Sequence, residues 1–492
     1  MPIPSRFVAL ALITAARSFA APPDLIVVGA GIAGLSAALE GARSGLDVTV
    51  IEQNSVFGGH AVISSGGLSL IGTPLQERLK IADSPDLARR DFETWGEDAD
   101  EAWVRYYVNN SKTEIHGWMT ALGTEFVNVS LNGAGNSVAR FHSPRGQGLG
   151  LVIPVQRGIL RQGGVTFLFN TRVTGLQLEK DRVTGVSTHN LRSGEKGRLN
   201  ARNVLISTGG FAANLDIVRA SWPKQIPLPE RILVGGGFFA LGGGMDLVKT
   251  AGGASARLDH QWNYASGLPD PFDPDGKRGF FSSAFGAIWV NAQGKRFVLE
   301  QHEPKVTIPT IAAQKPARYW AIFDAEGRKG FRGVHAGFSQ DRVEELFNVP
   351  GFIPRGSTLE DLAHAAGLPA GTLKTTVERY NAMVEAGVDT DFGRFGPGQR
   401  KARGFAPPVR KIAQAPFYAA PMYVLIRKSM GGISVDTSCR VQTADGKPVL
   451  DSLPRARLLD LAASTAGTGS KGHFSVPRFS WAAWRRARWR PN

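Results

Sequence analysis

Three glycines, Gly29, Gly31 and Gly34, have types and spacing that point to a definite chemistry. They sit in Gly29-Ala30-Gly31-Ile32-Ala33-Gly34, directly after the apolar run LIVV at 25–28. That order predicts a strand, a tight turn and a helix. The first amides of such a helix have no intrahelical acceptor and lie at the positive end of its dipole, so they suit a phosphate. Gly29 permits the turn, Gly31 lets a pyrophosphate approach the backbone, and Gly34 lets helix and strand pack closely. A second strand over 48–51 closes on Glu52 and Gln53, with Glu52 placed 52 − 29 = 23 residues after Gly29. A carboxylate there can accept from ribose hydroxyls and disfavours a 2′-phosphate, so NADP is not expected. Two further doublets, Gly58-Gly59 before His60 and Gly66-Gly67 after Ser65, would bring bare backbone against a flat or phosphorylated ligand. A later apolar run at 203–206 exits into Ser207-Thr208-Gly209-Gly210. Two such strand-to-glycine exits suit an FAD domain better than a simple NAD domain.

The elements that must position these residues follow from the rest of the chain. Its 492 residues are enough for two or three domains, and the hydrophobic fraction of 42% against 20% charged excludes whole-chain disorder. A helix is expected over 35–44 and a β-meander over 165–189. The stretch from 255 to about 425 is richer in proline and aromatic residues. It carries a strand at 287–290, a turn at 291–294 and a helical pair over 358–386 broken at Gly367-Leu368-Pro369. It reads as an insertion. The expected fold is therefore α/β: a Rossmann-like FAD-binding domain with a β-meander, interrupted by an inserted α+β capping domain. The expected boundaries are 22–254 plus 429–492 for the FAD domain and 255–428 for the cap.

Residues 1–21 read as a signal peptide. An apolar stretch at 7–16, too short to span a bilayer, precedes the small-x-small pattern Ser18-Phe19-Ala20, and no acid occurs before Asp24. Periplasmic or secreted placement follows, with an organelle presequence as the alternative. No later run is long and apolar enough for a transmembrane span. The net charge, 57 − 42 = +15, is spread along the chain without a nucleic-acid motif, so an acidic small substrate fits better than nucleic acid. The histidines show no metal-ligand spacing, and Cys439, the only cysteine, excludes a disulfide framework and a four-cysteine zinc site.

Over 24–472 the sequence resembles the FAD-dependent fumarate reductase and 3-ketosteroid dehydrogenase superfamily. The matching stretches are VVGAGIAGLSAALEGARSGLDVTVIEQ, FGGHAVISSGG, NVLISTGGF, GAIWVNAQGKRFVLE and RKSMGGISVDTSCRVQTADGKPV. Within it the chain is similar to the FAD-binding dehydrogenase branch, through GNSVARFH and RKSMGGI. The resemblance implies an FAD domain with a mobile cap and an active site in the cleft between them. FAD would contact Gly29, Gly31, Gly34, Glu52, Gly58, Gly59, Ser65, Gly66, Gly67, Val173, Thr208 and Gly209, with the neighbouring Ala30, Ile32, Ala33, Gln53, His60 and Gly210 included in the site. It also implies hydride transfer between flavin N5 and a C=C or C–C bond of a carboxylate or ring-ketone substrate, with a separate electron donor or acceptor. A histidine at the spacing of His60 is joined covalently to FAD in succinate dehydrogenase-like flavoproteins. Here a hydrogen bond near the flavin is the preferred expectation.

Several departures from the family pattern bear on catalysis. No arginine follows GKRFVLE at the spacing of the family's proton-delivering arginine; the chain continues Gln301-His302-Glu303-Pro304-Lys305. Arg427 and Lys428 replace the histidines before the MGG turn, and Arg478, five residues beyond His473, is a weaker counterpart of a family arginine. Arg427, Lys428, His473 and Arg478 are accordingly the catalytic candidates, with Lys428, Tyr418 or His473 left open as proton source. The Gly-rich closing helix is replaced by a basic tail containing Trp481, Trp484 and Trp489. A non-catalytic or decayed flavin-binding protein with an aberrant C-terminus is the alternative reading.

Overall fold

Strand β1 (Leu25–Val28) is buried at all four positions, as a central strand of a parallel sheet must be when both faces are covered. It pairs in parallel with β2 (Val48–Ile51) on one side and with Asn203–Ile206 on the other. The helix α1 (Ile32–Arg43) crosses between β1 and β2. Val165–Leu168 and Leu458–Asp460 form the two edges of this five-stranded sheet. The computed structural model describes residues 22–460, apart from 97, 132–134, 181, 285, 301, 334–339, 398–407 and 450–457. The signal-peptide segment, His473, Arg478 and the tryptophan-rich tail lie outside the described residues.

The expected meander exists, with a shifted membership. Val165–Leu168 joins the parallel sheet beside β2, and the antiparallel meander is built from Thr171–Glu179, Arg182–Asn190 and Lys196–Asn200. The turn at 169–170 separates the two. Asn170 N–H donates to the Asn54 carbonyl and Thr171 N–H to the Glu52 carbonyl, which fastens the start of the meander to the end of β2.

A second, larger sheet is organised around the long strand Phe417–Ser429. Arg318–Phe323 and Gln261–Pro269 flank it antiparallel, Ile232–Val234 pairs with its end in parallel, and Gly279–Ala284 extends the sheet beyond 261–269. One face carries a core containing Ile426, Val424, Trp289, Tyr319 and the helix Pro304–Ala312. A further core lies under the helices Leu359–Ala366 and Ala370–Ala386. Thr358 and Asp361 form a capping box on the first, and Gly367 ends it in the left-handed conformation. The chain passes between the two sheets more than once: Phe211, Val218 and Ile232 pack in the second core, while Leu247 and Val248 pack in the first.

The charged residues of GKRFVLE serve this second sheet. Arg296 bonds Glu300 at 2.7 Å and Asp389 at 3.0 Å, with all three side chains almost fully buried. A buried ion network fully occupied in this way holds the strand–turn–strand corner in place.

Candidate functional site

The glycine turn divides its labour between sterics and access. Gly29 has φ +104°, and a Cβ there would lie 2.5 Å from the Ser207 carbonyl oxygen. At Gly34 an added Cβ would fall 2.0 Å from the Gly29 carbonyl oxygen and 2.6 Å from Ser207 Oγ. Both glycines are demanded by protein packing. Gly31 is different: its φ is −69°, and a Cβ would meet nothing within 4 Å. Its neighbour across the groove is backbone, since Gly31 bridges to Gly58 and Gly59 lies against it. The space beside Gly31 is a cradle edged by bare main chain at the N-terminus of α1, as a pyrophosphate requires.

Glu52 is buried at the end of β2, where one carboxylate oxygen accepts Ala30 N–H at 2.7 Å and the other accepts Asn54 N–H at 2.9 Å. It braces the turn and still has lone pairs for a ligand hydroxyl. Gln53 Oε1 accepts from Arg172 Nε at 3.3 Å, and the next residue of that strand, Val173, is half-buried against the first core. At the second exit, Ser207 Oγ bonds the carbonyls of Val28 and Gly29, both at 2.9 Å. The adjacent Thr208 Oγ1 is buried with no hydrogen-bond partner among the described residues. That hydroxyl faces Gly244, where a Cβ would lie 2.3 Å from it, so the fit to FAD rests on the open main-chain cradle at Gly31. Ser65, Gly66 and Gly67 lie beyond the short helical turn Gly59–Ile63; Gly66 and Gly67 are backed by Gln147 and Phe141.

The other wall comes from the second sheet. His60 Nδ1 accepts Gly237 N–H at 2.9 Å, so any proton of the neutral ring sits on Nε2. Gly236 in turn lies against the Arg427 carbonyl. Ser429 Oγ accepts Phe211 N–H at 3.0 Å and occupies the side of Gly210 where a Cβ would be. Strand 417–429 thus reaches Gly210 through Ser429 and approaches His60 through Gly236 and Gly237.

The pairing of that strand with 261–269 contains a bulge. Trp262 faces Lys428 but Asn263 faces Ile426, so Arg427 is the extra residue. In a regular strand Arg427 and Lys428 would point to opposite faces. A bulge re-aims them, and both lie over aromatic rings of one neighbouring strand: Arg427 is 5.8 Å from Tyr264, and Lys428 Nζ is 5.0 Å from Trp262. Among the described residues neither cation forms an ion pair, and Arg427 Nε has no hydrogen-bond partner. Burial lowers the Arg427 guanidinium from its usual range. Burial, with Arg427 alongside, pushes the Lys428 ammonium down to about 8. Two neighbouring cations lacking a carboxylate form a receptor for an anion.

Tyr418 is excluded as a proton source. It is 3% exposed, stacks on Phe323, and lies ten residues (428 − 418) up the strand from Lys428, about 33 Å at the usual rise. Trp262, Tyr264 and Ser429 were not among the expected site residues. The alternation in Gln261-Trp262-Asn263-Tyr264 puts two rings on one strand face, but only the register with 427–428 brings them to the cations.

With this geometry in hand, comparison with known proteins is informative. Residues 24–451 match a family model described as "FAD binding domain". A fumarate reductase (cytochrome) of Shewanella frigidimarina is 31% identical over 427 residues, covering 86% of this chain and 69% of that protein. A KsdD-like steroid dehydrogenase of Mycobacterium tuberculosis is 27% identical, covering 91% of each. The fold is similar to that of an open flavocytochrome c3 fumarate reductase, with a TM-score of 0.72 and 24% identity over 91% of this chain and 74% of the other. It is similar as well to a 3-ketosteroid delta1-dehydrogenase from Sterolibacterium denitrificans, with a TM-score of 0.74 and 19% identity over 94% and 98%.

Proposed function

The chain belongs to the FAD-binding family matched at 24–451 and is an FAD-dependent oxidoreductase acting on carbon–carbon bonds, and from that premise we propose how its own residues serve the reaction. FAD is held by Gly29–Gly34, Glu52, Gly58–Gly59 and Thr208–Gly210, and when bound it supplies two-electron exchange at N5. Arg427 and Lys428 clamp the carboxylate of the substrate and stabilise the charge that develops as the C=C bond is reduced or formed. Lys428 holds the proton that reaches or leaves carbon, a role left open by the missing arginine after GKRFVLE and by the remoteness of Tyr418. The cap at 255–428 moves against the FAD domain, 22–254 plus 429–492, to exclude water. No helix among the described residues is long and apolar enough to cross a membrane. Export to the periplasm or beyond is proposed from residues 1–21, with a separate redox partner supplying or removing electrons.

The observation that carries this reading is the bulge that brings two cations, without an ion pair among the described residues, over the aromatic rings of one neighbouring strand. It favours an enzyme over a non-catalytic flavin carrier, because a buried Arg427 beside a half-buried Lys428, with no ion-paired acid among the described residues, destabilises a fold that does not use them. The test is single-turnover reoxidation of the reduced flavin in R427M and K428M. Flavin should stay bound while transfer slows at least tenfold, about 1.4 kcal/mol of transition-state stabilisation. Variants that turn over like the parent would refute the clamp and leave the FAD site standing.

A further inference from the structure

The face that carries the two cations continues as an apolar strip. Along strand 417–429, Tyr423, Leu425 and Arg427 alternate onto this side, and Leu233, Tyr423 and Leu425 form a small core of their own, against which Tyr264 and Phe281 pack half-buried. Gly235, Gly267 and Gly279 lie beneath it: a Cβ at each would come within 2.6–2.7 Å of Leu425 or Leu233. The two leucines thus lie down in the gaps the glycines leave, and the rings stand above a flat floor. Tyr264 and Phe281 are 4.4 Å apart between centroids, and Trp262 is 6.1 Å from Tyr264. Rings therefore adjoin the cations directly.

Charge and shape together select a ligand. A neutral ring ketone would leave the buried Arg427 and the half-buried Lys428 without a counter-charge. A short dicarboxylate calls for a second cation beside the first pair, whereas the neighbour of Arg427 on this face is the ring of Tyr264, with that of Phe281 4.4 Å beyond it. A ligand with one carboxylate and a planar apolar body satisfies both ends, since aromatic faces favour offset or tilted ring contacts.

We propose that the substrate is an aryl-substituted enoate, its carboxylate on Arg427 and Lys428 and its ring on Tyr264 and Phe281. This rests on the reading of Arg427 and Lys428 as a carboxylate clamp. The experiment is equilibrium titration calorimetry of the oxidised, FAD-loaded protein with trans-cinnamate, acrylate and fumarate, which reads binding without turnover. Cinnamate should bind at least tenfold more tightly than either of the others. Y264A should lose at least tenfold for cinnamate while acrylate changes less than twofold, and F281L, which keeps an apolar filler, should lose several-fold for cinnamate in the same selective way. R427M should weaken all the carboxylates that bind. Fumarate binding as tightly as cinnamate, or Y264A and F281L weakening acrylate and cinnamate equally, would overturn the aryl assignment and leave the clamp intact. Cinnamate affinity unchanged in R427M would instead overturn the clamp on which it rests.

Discussion

The two walls of the site are built on opposite principles. The glycine wall is made from residues close in sequence whose conformations are forced by contact: Gly29 and Gly34 have no room for a Cβ, and Ser207 locks the turn from the neighbouring strand. The cation wall is made from residues far apart, 262–264 and 427–428, brought together by the register of two long strands and one bulge. The first wall is rigid because packing over-determines it. The second holds uncompensated charge, so its energy is lowered when a ligand arrives. Binding of a cofactor and choice of a substrate are thereby separated in one cleft.

The largest effect should come from breaking the division within the glycine wall. Gly34→Ala places a methyl 2.0 Å from the Gly29 carbonyl oxygen, backbone that cannot swing aside, and should cost about 3 kcal/mol of stability with or without flavin. Gly31→Val adds bulk where the protein has nothing within 4 Å and where φ is ordinary. Its apo-protein should unfold within about 0.5 kcal/mol of the parent while flavin retention is lost. Denaturant unfolding of both apo-proteins, with flavin content measured on the purified holo forms, checks this. If G31V destabilised the apo-protein as much as G34A, the open cradle would have been misread.

The cation wall makes an opposite prediction, since its charge should cost stability until a ligand offsets it. Lys428 titrates near 8 in the folded protein against 10.5 as its ordinary value. Below pH 8 the proton is bound in both states, and the folded one bears the full cost of burial. Between about 8 and 10.5 the unfolded chain holds more protons, so stability rises with pH, and above 10.5 no penalty remains. K428M should therefore stabilise the protein at pH 7 by about 2 kcal/mol and lose that advantage on the alkaline side. Carboxylate affinity should run the other way, full below pH 8 and falling above it. Unfolding and ligand titration from pH 6 to 10.5 would register both slopes, and a flat profile for either would place Lys428 away from the anion.

The same contrast explains what could be read in advance. Gly29, Gly31, Gly34 and Glu52 were legible because one βαβ unit writes its requirements into thirty consecutive residues. The pairing of Leu458–Asp460 beside Val204–Ile206 was not legible, because it joins strands far apart in the chain. The switch of Val165–Leu168 from meander to parallel sheet was not legible, because a short apolar strand suits either partner until β2 claims its edge. Nor was the role of Tyr264 or the remoteness of Tyr418. The first depends on register between strands some 160 residues apart, which no local pattern records, and the second on one strand running unbroken over 417–429.

The smallest effect should appear where the two parts are tied at the rim. His260 Nε2 lies 2.9 Å from Asp98, and its Nδ1 lies 3.0 Å from Asp259. Its backbone carbonyl accepts the amides of Met430 and Gly431, just beyond Ser429, so the residue links the corner at Asp98 to the end of strand 417–429. Lys305 reinforces the same corner, donating to the Trp95 carbonyl at 3.3 Å with its ammonium 4.1 Å from that ring. Both aspartates are more than half exposed, so water screens the pairs and each is worth only about 0.2–1 kcal/mol. A double-mutant cycle of D98N and H260Q, read by denaturant unfolding at a pH that keeps His260 protonated, should return a coupling in that range at low salt. In 1 M salt the coupling should shrink, because the Debye length falls to about 3 Å and an exposed pair is then screened more strongly. A coupling that persists in salt would mean that the rim contact is packed rather than electrostatic. The cation wall would then be held as rigidly as the glycine wall, and the contrast between them would narrow to the cavity face itself.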